Sequence, residues 1–173
     1  MKDAPRIVIT GFMGAGKTAV ARELARSLGC GALDLDEFIA EREGRGPRAL
    51  IDEEGEAAFR EIESRALGDA LKTKARVIAL GGGAWTVERN RAAVAAEHDC
   101  LTVWLDAPFE LCWERITGER GGEGRPLGRE REAARRLFEE RLASYRLAAF
   151  HVRVTVGESA AQLAERIIAA SLM

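Results

Sequence analysis

Residues 11–18 read Gly-Phe-Met-Gly-Ala-Gly-Lys-Thr and directly follow a short apolar run at residues 7–9. This is the Gly-x-x-x-x-Gly-Lys-[Ser/Thr] pattern of a phosphate-binding loop (P-loop), placed between a candidate strand and a candidate helix. Glycines let backbone N–H groups curve around a polyphosphate without clashes of Cβ atoms. Because the helix that follows would point its N-terminus at the phosphates, the chain is predicted to bind a nucleoside triphosphate.

The residues of this loop have separate predicted tasks. The ammonium group of Lys17 would contact the β- and γ-phosphates, and the hydroxyl of Thr18 would ligate Mg²⁺. Mg²⁺ is thus the expected cofactor, bound together with the nucleotide. The other nucleotide contacts are expected from the loop and the start of the helix: Gly11, Gly14, Ala15, Gly16 and Ala19.

The composition fits one soluble globular domain over residues 1–173. Apolar residues make up 47% of the chain and charged residues 31%, which is typical of a protein with a buried core. The net charge of −2 favours neither nucleic acid nor an anionic membrane as a partner. No apolar run is long enough to span a membrane and the N-terminus lacks an apolar signal core, so we expect a cytoplasmic protein, and by default a monomer.

Cysteine and histidine offer little basis for chemistry in this chain. The three cysteines, Cys30, Cys100 and Cys112, lack Cys-x-x-Cys spacing and are typical of thiols in a reducing compartment. The two histidines, His98 and His151, lie far from the motifs. A histidine metal site or a histidine-based catalytic triad is therefore not expected.

Apolar runs of β type alternate with helical patterns along the chain. Strands are predicted at 6–10, 32–35, 77–80, 101–105 and 152–156, and helices at 17–28, 36–43, 55–73, 87–97, 108–117, 130–149 and 159–171. Such alternation predicts an α/β three-layer sandwich, a parallel sheet with helices on both faces. The ligand is expected beyond the carboxyl ends of the strands.

Two carboxylates, Asp34 and Asp36, stand at the end of the second predicted strand. The period of two along a strand would send both to the same side, at the edge where the phosphates should lie. One is placed to hold Mg²⁺ through its water shell, and the other to accept a proton from an acceptor hydroxyl. The alternative is a structural role, with Asp36 as the cap of the next helix.

Three consecutive glycines, Gly81, Gly82 and Gly83, follow the third predicted strand. Many P-loop proteins carry a magnesium-binding Asp at that point, and because none is present here, Asp34 is expected to do that work. Three glycines in a row expose backbone N–H groups and permit the close approach of a ligand. A loop that merely needs positive φ angles is the alternative.

A regulatory GTPase is the main alternative class for a P-loop chain, and two features argue against it. The guanine-recognition pattern Asn-Lys-x-Asp is absent, since Asn90 is the only asparagine and an arginine follows it. The Asp-x-x-Gly match at residues 52–55 lies in an acidic helical stretch with no apolar strand before it.

Six short motifs occur in the order and spacing of the shikimate kinase family, and the chain resembles that family from residue 6 to about residue 156. The motifs are Gly11–Thr18, Asp34-x-Asp36, Phe59-Arg60-x-x-Glu63, Gly81-Gly82-Gly83, Arg125-Pro126-Leu127 and Arg141-x-x-x-Tyr145. The resemblance implies a nucleoside monophosphate kinase-like P-loop fold with a five-stranded parallel sheet in the order 2-3-1-4-5. It also implies transfer of the γ-phosphate of ATP to the 3-hydroxyl of shikimate, on the way to chorismate and the aromatic amino acids.

The resemblance also implies the substrate contacts, with the substrate-binding helices at about 36–73. Arg60 and Arg141, from different helices, would hold the substrate carboxylate, which suits the paired donors of a guanidinium. Asp36 would bind the ring hydroxyls and orient or deprotonate the attacking one, while the backbone of Gly81–Gly83 lines the pocket and Gly82 donates to the substrate. The alternative is that both arginines pair with acids on helix surfaces, such as Glu56, Glu63 or Glu140.

The glycine- and arginine-rich segment 117–130 reads as a mobile, positively charged loop or as a solvated linker. By resemblance it is the lid, from which Arg125 would close over the phosphates and exclude water. Arg115 matches the arginine that packs on adenine in this family. Relatives usually carry a proline in the loop after the last strand, but residues 154–161 contain none, so the adenine contacts on that side stay open.

Two other functions remain as alternatives. The same scaffold could serve another small acid or sugar, as in a gluconate kinase-like enzyme, although the Arg60 and Arg141 pair argues against this. The second alternative is a catalytically weak module that binds ATP or shikimate and thereby regulates another protein. The presence of Lys17, Asp34, Asp36 and Arg125 argues against such a module.

Overall fold

A five-stranded parallel sheet forms the centre of the computed structural model, which describes residues 5–119 and 128–171. The strands are β1 (Arg6–Thr10), β2 (Ala32–Asp34), β3 (Val77–Ala79), β4 (Cys100–Asp106) and β5 (Phe150–Arg153). They pair in the order β2-β3-β1-β4-β5, and every pairing is parallel. This confirms the predicted order 2-3-1-4-5.

Helices flank the sheet. They are α1 (Lys17–Leu28), α2 (Leu35–Glu43), α3 (Pro47–Glu54), α4 (Glu56–Leu71), α5 (Glu88–Ala95), α6 (Phe109–Glu119), α7 (Gly128–Tyr145) and α8 (Ala160–Ser171), with a short 3₁₀ turn at Ala84–Thr86. Consecutive residues of β1 and β3 are fully buried, which requires cover on both faces of the sheet. None of the helices in the described part of the chain is long and apolar enough to cross a membrane.

The segment between β2 and α4 differs from the prediction. The second strand ends at Asp34, and α2 begins at Leu35, one residue earlier than expected. A separate helix, α3, follows where no helix was predicted. Glycine sets its limits, because Gly44 ends α2 at φ 68°, Gly46 precedes Pro47 at the start of α3, and Gly55 ends α3 at φ 90°.

An aromatic cluster ties α7 to the P-loop. The ring of Phe12, in the loop, meets Phe138 of α7 edge to face with centroids 5.2 Å apart, and Phe138 meets Phe109 of α6 at 5.5 Å. Such pairs stabilise by about 1 kcal/mol beyond their area burial. The helix that carries Arg141 is thereby anchored beside the loop that carries Lys17.

Candidate active site

The P-loop lies between the end of β1 and the start of α1, at the carboxyl edge of the sheet. Gly14 is held at φ 78°, and a Cβ placed on it would lie 2.6 Å from the backbone oxygen of Cys112, so no other residue fits there. Among the described residues, no protein atom accepts a hydrogen bond from the backbone N–H of Gly14 or Gly16. These donors, with the first turn of α1, form a cradle for an anion.

Lys17 is folded into the P-loop. Its Nζ donates hydrogen bonds to the carbonyl oxygens of Gly11 at 2.9 Å and Phe12 at 3.0 Å. Burial lowers the pKa of Lys17 to about 8, although the nearby carboxylates of Asp36 and Asp34 oppose this effect. A polyphosphate in the loop would restore a strong partner to this ammonium group.

Asp34 joins the P-loop to α2. Its Oδ2 accepts a hydrogen bond of 2.5 Å from the hydroxyl of Thr18, and its Oδ1 accepts from the backbone N–H of Asp36 at 2.9 Å and of Glu37 at 3.2 Å. Asp34 is therefore the cap of α2, and the alternative that gave this role to Asp36 was wrong. The two predicted metal ligands, Thr18 and Asp34, lie in direct contact.

Asp36 lies in the first turn of α2, so the strand alternation expected for it does not apply. Its side chain nevertheless reaches the glycine turn after β3. A Cβ on Gly81 would lie 2.6 Å from Oδ1 of Asp36 and 3.1 Å from Oε1 of Glu63, so the two carboxyl groups converge over this glycine. Burial raises the pKa of Asp36, and the neighbouring Asp34 adds to the effect, while Lys17 and Arg60 oppose it.

Arg60 of α4 borders the same turn. It donates to Glu63 at 2.7 Å and to Glu56 at 3.2 Å, so the ion pairs considered as an alternative are present. The guanidinium also lies against Gly83, where an added Cβ would be 2.7 Å from Cζ of Arg60. The carboxylate of Glu63 is only 1% exposed, and its Oε1 has no hydrogen-bond partner within the described residues.

Arg141 reaches the turn from α7. Its guanidinium carbon lies 5.9 Å from the centre of the Phe12 ring, and Nη1 would be 3.4 Å from a Cβ on Gly82. Within residues 5–119 and 128–171, no carboxylate lies close enough to Arg141 to form an ion pair. The alternative for Arg141, pairing with a surface acid such as Glu140, is therefore not observed within the described residues, and two arginines from different helices face one glycine turn.

Apart from the glycine turn, the P-loop also borders a cleft of about 580 Å³. It is bounded by residues 14–20 and by Arg22, Arg115, Glu158, Ala160 and Leu163. Nη1 of Arg115 donates to the carbonyl oxygen of Gly14 at 3.1 Å, which places this guanidinium at the loop. Arg125 and most of the predicted lid, residues 120–127, lie outside the described residues.

At this site Tyr145 received no task from the sequence, and Glu63 was considered only as an ion-pair partner of Arg60 on the helix surface. Tyr145 and Glu63 belong to recognised motifs, but their burial became evident only in the fold. The available signal was helical spacing, because Tyr145 follows Arg141 and Glu63 follows Arg60 by about one turn. Residues so spaced share a helix face, so each could have been expected beside its arginine.

Sheet order, P-loop and the Thr18–Asp34 pair together define a P-loop kinase of the small-molecule type. A family model described as shikimate kinase matches residues 13–171. The shikimate kinase of Nostoc punctiforme is 38% identical over 94% of this chain and 88% of its own length, and that of Ruegeria pomeroyi is 39% identical over 95% and 83%. The solved shikimate kinase of Acinetobacter baumannii, in complex with shikimate, superposes with a TM-score of 0.87 at 33% identity, covering 98% of this chain and 93% of that one. The chain belongs to the shikimate kinase family.

Proposed function

We propose that this protein transfers the γ-phosphate of ATP to the 3-hydroxyl of shikimate, giving shikimate 3-phosphate and ADP. The observation that carries the proposal is the pair Arg60 and Arg141, which face one glycine turn beside Asp36 and next to the P-loop. A small ring with one carboxylate and several hydroxyls matches this set of groups. The solved relative from Acinetobacter baumannii, which holds shikimate, supports the same substrate.

The substrate carboxylate is held by the two guanidinium groups and by the glycine turn. Arg60 is kept in place by the buried Glu63 and by Glu56, and both terminal nitrogens of its guanidinium lie against Gly83 of the turn. Among the described residues, nothing accepts a hydrogen bond from the backbone N–H of Gly81, Gly82 or Gly83. These N–H groups are available to a ligand, and helices at about 36–73 enclose it.

Asp36 orients the attacking hydroxyl and accepts its proton. Its carboxyl lies at Gly81, between the substrate turn and the P-loop, and burial with a nearby second carboxylate raises its pKa toward that of a working base. Lys17 draws charge from the transferring phosphoryl group on the other side. Lys17 and Asp36 lie close enough to interact electrostatically, which supports this division of tasks.

The residues present fit a bound Mg²⁺. The hydroxyl oxygen of Thr18 and the carboxylate of Asp34 are hard oxygen ligands, with Oδ2 of Asp34 2.5 Å from the hydroxyl, and Asp34 is oriented by the bonds of its Oδ1 to α2. When bound with ATP, the cation neutralises charge on the β- and γ-phosphates. Within the described residues, no cluster of three or more His, Cys, Asp or Glu forms a self-contained metal site, which agrees with a metal shared with the nucleotide.

The remaining assignments complete the proposal. Gly11, Gly14, Ala15, Gly16 and Ala19 of the P-loop segment hold the phosphates, Arg115 packs on the base, and Arg125 closes over the phosphates from the lid. The position of Arg115 at the cleft beside the P-loop, where it donates to the carbonyl oxygen of Gly14, supports its assignment to the base. The enzyme acts as a monomer in the cytoplasm, in the route to the aromatic amino acids.

ADP release by the purified protein tests the proposal, with Mg²⁺, ATP and, in parallel, shikimate, gluconate, quinate or no acceptor. Release with shikimate alone is the expected result, and Lys17→Ala should abolish it. Release with another acceptor would keep the kinase mechanism and move the substrate. No release with any acceptor, despite ATP binding, would contradict catalysis and favour a regulatory binding module.

A further inference from the structure

Tyr145 connects α7 to the glycine turn of the pocket. It is the last residue of α7, and its side chain is fully buried. The hydroxyl donates a hydrogen bond of 2.5 Å to the carbonyl oxygen of Gly82, and the ring stacks on Trp104 with centroids 6.1 Å apart. The turn Gly81–Gly83 has no side chains of its own that could fix its conformation. The buried hydroxyl of Tyr145 supplies a short hydrogen bond that does so.

Arg141, one helical turn earlier, interacts electrostatically with the same hydroxyl. Burial raises the pKa of Tyr145 to about 12, and the positive charge of Arg141 only partly offsets this. The hydroxyl therefore keeps its proton throughout the physiological range and remains a donor to Gly82. It is bonded to the Gly82 carbonyl, and it belongs to the same helix face as Arg141.

The hydrogen bond from Tyr145 to the Gly82 carbonyl also determines the orientation of the next peptide N–H. Because the peptide unit is planar and trans, fixing the carbonyl of Gly82 also fixes the direction of the N–H of Gly83, which points the opposite way. Gly83 lies against the guanidinium of Arg60. Three consecutive glycines have wide conformational freedom, and without an external anchor their N–H groups would not hold one direction.

We propose that Tyr145 is a positioning residue of the carboxylate pocket: its hydroxyl fixes the Gly82–Gly83 peptide and Arg141 in the arrangement that receives the substrate carboxylate. Tyr145 does not touch the substrate, and it acts through the turn and the arginine. The inference rests on the proposed function, because it assigns the carboxylate of the acceptor to this pocket. Removal of the Tyr145 hydroxyl should therefore raise the KM for shikimate and leave the KM for ATP nearly unchanged.

Tyr145→Phe removes the hydroxyl and keeps the buried ring and its stacking on Trp104. We expect the KM for shikimate to rise about tenfold, because the Gly82 carbonyl loses its buried partner, while the KM for ATP stays within about twofold. Trp104→Phe is the matched control, since it loosens the packing of Tyr145 and leaves the hydroxyl in place. It should lower Tm and leave the KM for shikimate within about twofold.

A purely structural role would give a different result. If both variants raise the two KM values in proportion to their loss of Tm, or if Tyr145→Phe leaves the KM for shikimate unchanged, the proposal is overturned. The unsubstituted protein, assayed in parallel, separates this result from the function itself, because failure there to phosphorylate shikimate contradicts the proposed function.

A second measurement needs no substitution that could disturb folding. Tyr145 is the only tyrosine of the chain, so biosynthetic labelling with 3-fluorotyrosine places one ¹⁹F probe at this position. Shikimate should shift the ¹⁹F resonance in the absence of nucleotide, and gluconate at the same concentration should not. A resonance unmoved by saturating shikimate would overturn the positioning role.

Discussion

At the scale of single residues, the most unusual group is Glu63. Its carboxylate is buried beside Asp36 and bonded to Arg60 through one oxygen only. Burial raises its pKa, while Arg60 and Arg141 oppose the shift and Asp36 adds to it. Neutralising Glu63 should therefore change stability in a way that depends on pH.

The variant Glu63→Gln, which has no titrating group at this position, tests whether the pKa of Glu63 is raised in the folded protein. Between the ordinary pKa of 4.5 and the raised folded value, the folded protein binds a proton that the unfolded chain has released. This contribution is fully present below pH 4.5 and is lost as the pH rises through the raised pKa. The free energy of unfolding of the natural protein, relative to that of Glu63→Gln, should therefore fall as the pH rises above 4.5 and level off once the pH has passed the raised pKa, as urea titrations would show. A difference that is constant with pH would show that the pKa of Glu63 is not raised.

Substitution of Arg141 tests directly whether this residue binds the carboxylate of shikimate. Removing one of two arginines that hold a carboxylate costs about 2–5 kcal/mol, so Arg141→Ala should raise the KM for shikimate at least about 30-fold. The KM for ATP should change little. Arg136→Ala, an exposed arginine of the same helix, is the control and should leave both values unchanged. A KM for shikimate within about twofold of the natural value would remove Arg141 from the carboxylate site.

At the scale of elements, the glycine turn after β3 is shaped by the side chains packed against it. Gly83 has ordinary helical angles, φ −103° and ψ −11°, so alanine there creates no backbone strain. The added Cβ would instead displace the guanidinium of Arg60, whose Cζ lies 2.7 Å away. Gly83→Ala should raise the KM for shikimate by about tenfold to a hundredfold with little loss of Tm, as steady-state kinetics and thermal unfolding would show.

Gly68→Ala is the matched control for the turn. Gly68 lies inside α4, and nothing stands within 4 Å of a Cβ placed there. Alanine should stabilise the helix by about 1 kcal/mol and leave both KM values unchanged. A loss of stability in Gly83→Ala as large as that of a core substitution would instead indicate that the turn is structural.

The elements also show which features could be predicted from the sequence. The alternation of strands and helices and the P-loop followed from periodicity and glycine spacing, which are properties of neighbouring residues, whereas the strand order followed from the family resemblance. The boundary at Asp34 was missed because the start of α2 depends on a side-chain cap, and α3 was missed because Gly44 and Gly46 interrupt an otherwise continuous helical pattern. The burial of Glu63 and the Tyr145 bond to Gly82 depend on contacts between distant segments, which no local pattern contains.

At the scale of the whole molecule, the two proposed recognition sites share the carboxyl edge of one sheet. The proposed nucleotide cleft lies between the P-loop, Arg115 and the start of α8, and the proposed carboxylate pocket lies between α2, α4, α7 and the glycine turn. The P-loop touches both, since the Phe12 ring contacts Arg141 while Lys17 bonds to the Phe12 carbonyl. Phosphoryl transfer requires this closeness, but binding of each ligand depends on different groups.

Ligand-induced stabilisation should therefore separate the two sites. A ligand at about 100 times its Kd adds about 2.7 kcal/mol to the free energy of unfolding, which raises Tm by several degrees in a protein of this size. Lys17→Met should lose the Tm shift caused by ATP with Mg²⁺ and keep the shift caused by shikimate, because Lys17 serves the phosphates. Arg141→Ala should show the reverse, because its guanidinium serves the carboxylate. If Lys17→Met abolished both shifts, the loop that Lys17 braces through Gly11 and Phe12 would be a common support of the two sites, and their separation would be wrong.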